Sequence, residues 1–175
     1  LLAGTILMSL AGVSTARDIV IAQSSDLRSN NPGVNRDGNT DGVILHIVEG
    51  LVGYANNGEV KPLLAQSVDM SADGLTYTFK LRPDVKFHNG KTLTAEDVVY
   101  SINLHRGEKT VSESKALLEQ ISDVKTNAPG EVTVTLAAPN AGFPSLMTLI
   151  NLQIVPENET DFGKGVGTGG YILES

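Results

Sequence analysis

The sequence predicts an α+β fold. Two alternating apolar/polar runs are folded back at Asp73-Gly74 and at Pro129-Gly130, and two helical patterns are set apart from them rather than interleaved strand by strand. Hydrophobic residues at 41% and charged residues at 19% are the balance of a chain that buries a core.

Each element follows in order. Ile19-Val20-Ile21-Ala22 is a β-rich run and predicts a first strand. Residues 24–39 are rich in Ser, Asn, Gly and Asp and predict a loop. Thr40 is placed to cap a helix with Ile44, Leu45, Val48, Leu51 and Val52 at three- and four-residue spacing, and Gly53 stands where that helix should stop. Asn56-Asn57-Gly58 predicts a turn.

The clearest hairpin joins Gln66-Ser67-Val68-Asp69-Met70-Ser71 to Leu75-Thr76-Tyr77-Thr78-Phe79-Lys80-Leu81 through Asp73-Gly74. Leu75, Tyr77, Phe79 and Leu81 share one face, as in a half-buried antiparallel strand. Arg82-Pro83-Asp84 and His88-Asn89-Gly90 are turns around Val85-Lys86-Phe87. Thr94 caps the best helix; Glu96 and Asp97 suit its positive end, and Val98, Val99 and Ile102 form its buried stripe. A second helix is expected over 112–121, with Ser112 as cap. A second hairpin joins Asp123-Val124-Lys125-Thr126 to Val132-Thr133-Val134-Thr135-Leu136. A short helix at 143–150 and a strand at Gln153-Ile154-Val155 follow. Tyr171-Ile172-Leu173 predicts the opening of a strand whose partner lies beyond Ser175, so the domain is expected to be unfinished.

Composition excludes several functions. The formal charge of −7, with no cluster of Lys and Arg, argues against nucleic acid. The absence of cysteine removes disulfides, thiolate catalysis and cysteine-held metals. Residues 1–16 carry no charge, are mostly apolar and end in Ser14-Thr15-Ala16, which reads as the end of a secretory signal with its cleavage site. The apolar stretch is shorter than the roughly 20 residues that span a bilayer.

Motifs that suggest chemistry lack their context. Gly165-Val166-Gly167-Thr168-Gly169-Gly170 matches a dinucleotide fingerprint, but no strand precedes it and no helix follows, so a turn is expected. Ser112-Glu113-Ser114-Lys115 and Ser122-Asp123-Val124-Lys125 match the S-x-x-K of serine acyl-enzymes without the companion motifs. His46, His88 and His105 show no metal-ligand spacing, although Glu49 lies near His46 in sequence. Glu96 and Asp97, neighbours on a helix, point about 100° apart and cannot act as a carboxylate pair. No catalytic residue, metal ligand or cofactor is assigned.

The run from Leu64-Ala65-Gln66-Ser67-Val68 through Asp73-Gly74-Leu75-Thr76-Tyr77-Thr78-Phe79-Lys80-Leu81-Arg82, then Val85-Lys86-Phe87-His88-Asn89-Gly90 and Leu93-Thr94-Ala95-Glu96-Asp97-Val98-Val99-Tyr100-Ser101, resembles the peptide/nickel family of ABC-importer solute-binding proteins, solute-binding protein family 5. Ile47-Val48-Glu49-Gly50-Leu51-Val52 and Gly165-Val166-Gly167-Thr168-Gly169-Gly170-Tyr171 extend the likeness, with Gly170 where the family usually has proline. The resemblance implies the N-terminal part of a bilobed periplasmic-binding-protein-like fold (type II, large cluster). Residues 17–60 would begin lobe one, 61–160 would form its antiparallel β/α side domain, and 161–175 would return into the lobe.

It also implies a non-enzymatic, periplasmic receptor that captures peptides or similar small solutes. That receptor would deliver them to inner-membrane ABC permease subunits and act as a monomer when full length. An exported hydrolase with a Ser/His/Asp site and a nickel or metal-chelate carrier of the same family are the alternatives. Within this reading the polar loop after the first strand is the cleft candidate, with Arg28, Ser29 and Asn30 as expected ligand-binding residues.

Overall fold

A computed structural model of the protein describes residues 20–34 and 37–174. The secretory reading of residues 1–16 lies outside the described residues.

Helix α1, Gly38–Ile47, comes first, followed by the short hairpin β1, Val52–Tyr54, and β2, Val60–Pro62. Strands β3, Ala65–Met70, and β4, Thr76–Leu81, form the first predicted hairpin; helix α2, Ala95–Asn103, and the single turn α3, Lys115–Leu118, follow. Strands β5, Ile121–Ala128, and β6, Glu131–Leu136, form the second hairpin, and α4, Phe143–Leu146, precedes 3-10 turns at Ile150–Leu152 and Phe162–Lys164. The antiparallel sheet runs β3-β4-β6-β5, so the two hairpins join through their returning strands. The α+β class is therefore as expected.

The alternation read in β4 decides how the sheet packs. Tyr77, Phe79 and Leu81 are buried, while Lys80 is exposed. With Val132, Val134 and Leu136 of β6 and Val98 and Ile102 of α2 they form the main core. The Tyr77 ring meets Phe143 at 4.9 Å between centroids, and its hydroxyl donates to the Asn140 carbonyl at 2.7 Å. Gly74 turns the first hairpin at φ +69°, where an L side chain is strained.

Thr94 caps α2 as expected. Asp97 closes the box: its carboxylate accepts from the Thr94 amide at 2.8 Å and pairs with Lys91. Glu96 is exposed and Asp97 fully buried, which separates the two acids as expected. Asp97 also accepts from the Glu157 amide at 2.6 Å, Ser101 bonds both the carbonyl and the amide of Val155, and the Tyr100 hydroxyl donates to the Glu159 carbonyl at 2.7 Å. The helix thereby holds the irregular segment 155–159 in place.

Several expectations are corrected. Ile21 and Val20 are 76% and 95% exposed and join no strand among the described residues; a β-rich run forms nothing without a partner. Helix α1 is capped by Asp37, not Thr40: Asp37 Oδ1 accepts from the Thr40 amide at 2.9 Å, and Thr40 is buried with its hydroxyl accepting from the Arg28 amide at 3.0 Å. The helix stops at Ile47 rather than Gly53. The Glu49 carbonyl accepts from the Ile154 amide, Gly50 bridges Gln153, and Leu51 and Val52 are drawn into the sheet core. Gly53 belongs to β1.

The helix expected over 112–121 shrinks to α3. The Ser112 hydroxyl is engaged by His105 at 2.7 Å, and Ile121 pairs with Leu136. The helix expected at 143–150 breaks into α4 and a 3-10 turn because Leu149 is extended. The strand at 153–155 is a single bridge, and Tyr171-Ile172-Leu173 forms no strand. Among the described residues no helix is long and apolar enough to cross a membrane.

Candidate functional site

The loop before α1 is held by residues 151–163 of the later chain. Asn151 Nδ2 donates to the Pro32 carbonyl at 2.6 Å, Gln153 Nε2 to the Asn30 carbonyl at 3.4 Å, and Asn30 Nδ2 to the Gly163 carbonyl at 3.4 Å. Within the loop the Asn31 amide donates to Ser29 Oγ at 3.0 Å and the Gly33 amide to Asn31 Oδ1 at 2.8 Å. These short-range bonds fix its backbone as Asx and Ser turns do. The result is an open concavity of about 490 Å³ walled by Leu27, Arg28, Ser29, Asn30, Asn31, Phe162 and Gly163. A depression of this size falls within the range that accepts a small molecule.

All three residues expected at the site from sequence, Arg28, Ser29 and Asn30, lie on this wall. Arg28 is 70% exposed in its side chain, and its Nε meets Asp37 Oδ2 at 2.8 Å. The Thr40 amide holds the Asp37 carboxyl below its ordinary range; desolvation opposes it, and the Arg28 guanidinium adds a lesser lowering effect. Sequence reasoning missed Phe162 and Gly163, which reach the wall from across the chain. It also missed Asp37, which stands behind Arg28; only its position just before a helix start could have drawn notice.

The other motifs are absorbed by packing. Gly167 and Gly169 lie against the end of α1, where a Cβ would come within 2.2 Å of the Ile47 carbonyl oxygen and 2.5 Å of that of His46, respectively. The Gly167 amide donates to His88 Nδ1 at 3.3 Å, which leaves the ring proton on Nε2 to donate to the Gly169 carbonyl at 2.9 Å. The glycine run is thus a close-packed seam and leaves no cradle for a phosphate.

His105 and Ser112 are paired but buried, and Ser112 Oγ also accepts from the Ser114 amide at 3.2 Å; no substrate reaches them. Lys115 gives its ammonium to the Glu108 carbonyl, and Ser122 donates to the Thr135 carbonyl, so neither S-x-x-K pair is joined by these bonds. His46 donates back to the Gly42 carbonyl, while Glu49 lies beyond the helix end. Among the described residues no cluster of three or more His, Asp or Glu is arranged to hold a metal ion.

Solved structures place this architecture among the type II periplasmic binding proteins. The PBP AgaA of A.tumefacien R10, in complex with agropinic acid, superposes with a TM-score of 0.79 at 29% identity, over 87% of this chain and 32% of its own. The chain therefore carries part of that fold. The glutathione-binding protein GsiB of Pectobacterium atrosepticum is 36% identical over 95% of this chain and 34% of its own length, and the dipeptide-binding protein of Lactococcus lactis is 31% identical over the same shares. The chain spans about a third of the length of these relatives. Residues 59–175 match the model of bacterial extracellular solute-binding proteins, family 5 Middle, and the chain belongs to that family.

Proposed function

We propose that this chain is the opening part of an extracytoplasmic receptor for an ABC importer, one that captures short peptides or similar small solutes and hands them to permease subunits in the inner membrane. The periplasm is its compartment, the receptor is a monomer, and it performs no chemistry on its ligand. Residues 17–60 and 161–175 belong to lobe one, and residues 61–160, with the four-stranded sheet and α2, form its side domain. Arg28, Ser29 and Asn30 bind the ligand.

One observation carries the reading: an exposed arginine fork and short polar side chains stand on a pinned loop, on the wall of a concavity sized for a small molecule. A guanidinium pairs with a carboxylate in a planar, charge-assisted geometry, and Ser and Asn add polar contacts at low entropic cost. Capture of this kind needs a closed state favoured by the ligand, not a reactive group. Relatives named for glutathione and for dipeptides support the solute class.

The test is thermal stabilisation of the whole protein by glutathione, by dipeptides and by nickel with histidine, each at millimolar concentration. A specific ligand at 100 times its Kd adds about 2.7 kcal/mol, enough to raise Tm by several degrees. Stabilisation by glutathione or a dipeptide that is lost in Arg28→Ala supports the reading. Stabilisation that Arg28→Ala leaves intact removes this loop from the binding site.

A further inference from the structure

Arg28 is not simply an exposed cation. Its Nε is held by Asp37 Oδ2 at 2.8 Å, its own amide donates to Thr40 Oγ1 at 3.0 Å, and the other oxygen of Asp37 accepts from the Thr40 amide at 2.9 Å. The carboxylate is thus fixed by the first turn of α1, and the arginine meets that helix start at two points, its amide at Thr40 and its guanidinium at Asp37. Among the described residues Asp37 is the one ion-pair partner of the Arg28 guanidinium, and no group hydrogen-bonds its Nη nitrogens. The side chain lines the concavity. An ion pair this exposed contributes little to stability, so stability alone does not account for the interlock.

We infer that Asp37 is a positioning residue: by clamping Nε from the helix cap it leaves the Nη edge of Arg28 open to a ligand carboxylate. This rests on the receptor reading above and narrows the ligand to a carboxylate-bearing solute. An arginine left free on a loop must lose rotamer freedom when it binds; one already held by a helix cap loses less. The geometry also selects the ligand. With one nitrogen spent on Asp37, the remaining planar edge suits a single carboxylate, and the overall charge of −7 disfavours a polyanion such as an oligophosphate.

The test uses the whole protein, with glutathione and its diethyl ester as probes, in wild type, Arg28→Ala, Asp37→Asn and Asp37→Ala. Asparagine keeps an oxygen for the Thr40 amide, so the cap survives while the charge on Nε is lost. We expect Arg28→Ala to weaken glutathione binding by about tenfold to a hundredfold, equivalent to roughly 1.4–2.8 kcal/mol. Asp37→Asn should weaken it by about threefold to tenfold with the ligand-free Tm unchanged, whereas Asp37→Ala should lower both. The preference of the wild type for the free acid over the ester should shrink in Asp37→Asn.

A ligand-independent measurement accompanies these. The Arg28 Nε resonance should shift between wild type and Asp37→Asn, because Asp37 is the charge in contact with it. If Arg28→Ala loses affinity and Asp37→Asn does not, or if that resonance is the same in both, the positioning role is overturned and the receptor site stands. If wild type binds neither probe, or Arg28→Ala binds as wild type does, the site itself falls with it.

Discussion

Gly169 lies directly on the end of helix α1, its amide donating to the Ile47 carbonyl at 2.9 Å, with no space between for a side chain. A Cβ there would sit 2.5 Å from the His46 carbonyl oxygen and 2.6 Å from the Ile47 carbonyl carbon, whereas nothing lies within 4 Å of one on Gly170. Gly169→Ala should therefore destabilise the protein by about 1–3 kcal/mol, the usual cost of forcing atoms into a packed seam. Gly170→Ala should stay within about 0.5 kcal/mol of wild type. Urea unfolding of both variants checks this; equal stabilities would mean that the seam is loose.

His88 holds the same seam from the other side through Gly167 and Gly169. His88→Phe keeps a ring but leaves one amide and one carbonyl without their partner, and should cost about 1–3 kcal/mol. His88→Asn, which still offers a donor and an acceptor, should recover part of that loss. Thermal melts of the two variants separate lost hydrogen bonds from lost volume, and indistinguishable melts would exclude the hydrogen bonds as the cause.

The buried carboxylate of Asp97 joins Lys91, the Thr94 amide and the Glu157 amide. Asp97→Ala should cost about 1–3 kcal/mol, because it leaves the Thr94 and Glu157 amides without their acceptor and opens the capping box. Asp97→Asn keeps acceptor capacity for some of them and should cost less. Limited proteolysis should then cut near residues 155–159 sooner in Asp97→Ala than in wild type. An unchanged cleavage pattern would show that Tyr100 and Ser101 hold that segment alone.

Gly74 turns the β3–β4 hairpin at positive φ, and a Cβ there would lie 3.3 Å from Pro139. Gly74→Val should destabilise the sheet by about 1–3 kcal/mol through backbone strain. Affinity for any captured solute should be nearly unchanged, because this turn is not on the wall of the concavity. Calorimetry on the whole protein decides the second point: a parallel loss of affinity would place the turn at the binding site.

Asp73, beside that turn, accepts from the Ser71 hydroxyl at 2.5 Å and from the Leu75 amide at 3.0 Å, and the Ser71 bond leads in lowering its carboxyl below the ordinary value of 3.8. A folded-state value below the unfolded one means that its stabilising contribution is complete above about pH 4 and fades as pH falls through the lower folded value. In Asp73→Asn the drop in Tm between pH 5 and pH 2.5 should be smaller than in wild type. Identical acid profiles would remove Asp73 from the account.

Much of the fold was legible because its signals are local. The alternation of Tyr77, Phe79 and Leu81, the Asp73-Gly74 turn and the Thr94–Asp97 cap each lie within a few residues, and side-chain period and capping geometry depend on no distant contact. The polar loop with Arg28, Ser29 and Asn30 also showed as a candidate, by composition and position. What the sequence by itself determined was therefore the α+β class, both hairpins, helix α2 and the loop that lines the concavity.

Only the tertiary structure decided where helix α1 ends, because Gly50 bridges Gln153 and Leu51 enters the sheet core, contacts made across about a hundred residues. It likewise brought Phe162 and Gly163 to the wall beside Asn30, set Asp37 rather than Thr40 at the helix cap, and left Val20 and Ile21 exposed and in no strand among the described residues. The Asp37 cap is a local bond that a closer reading of the helix start would have found; the other three share one reason. Whether a residue pairs or lines a site depends on the competing partner that folding brings near it, and a long-range partner leaves no mark in local periodicity.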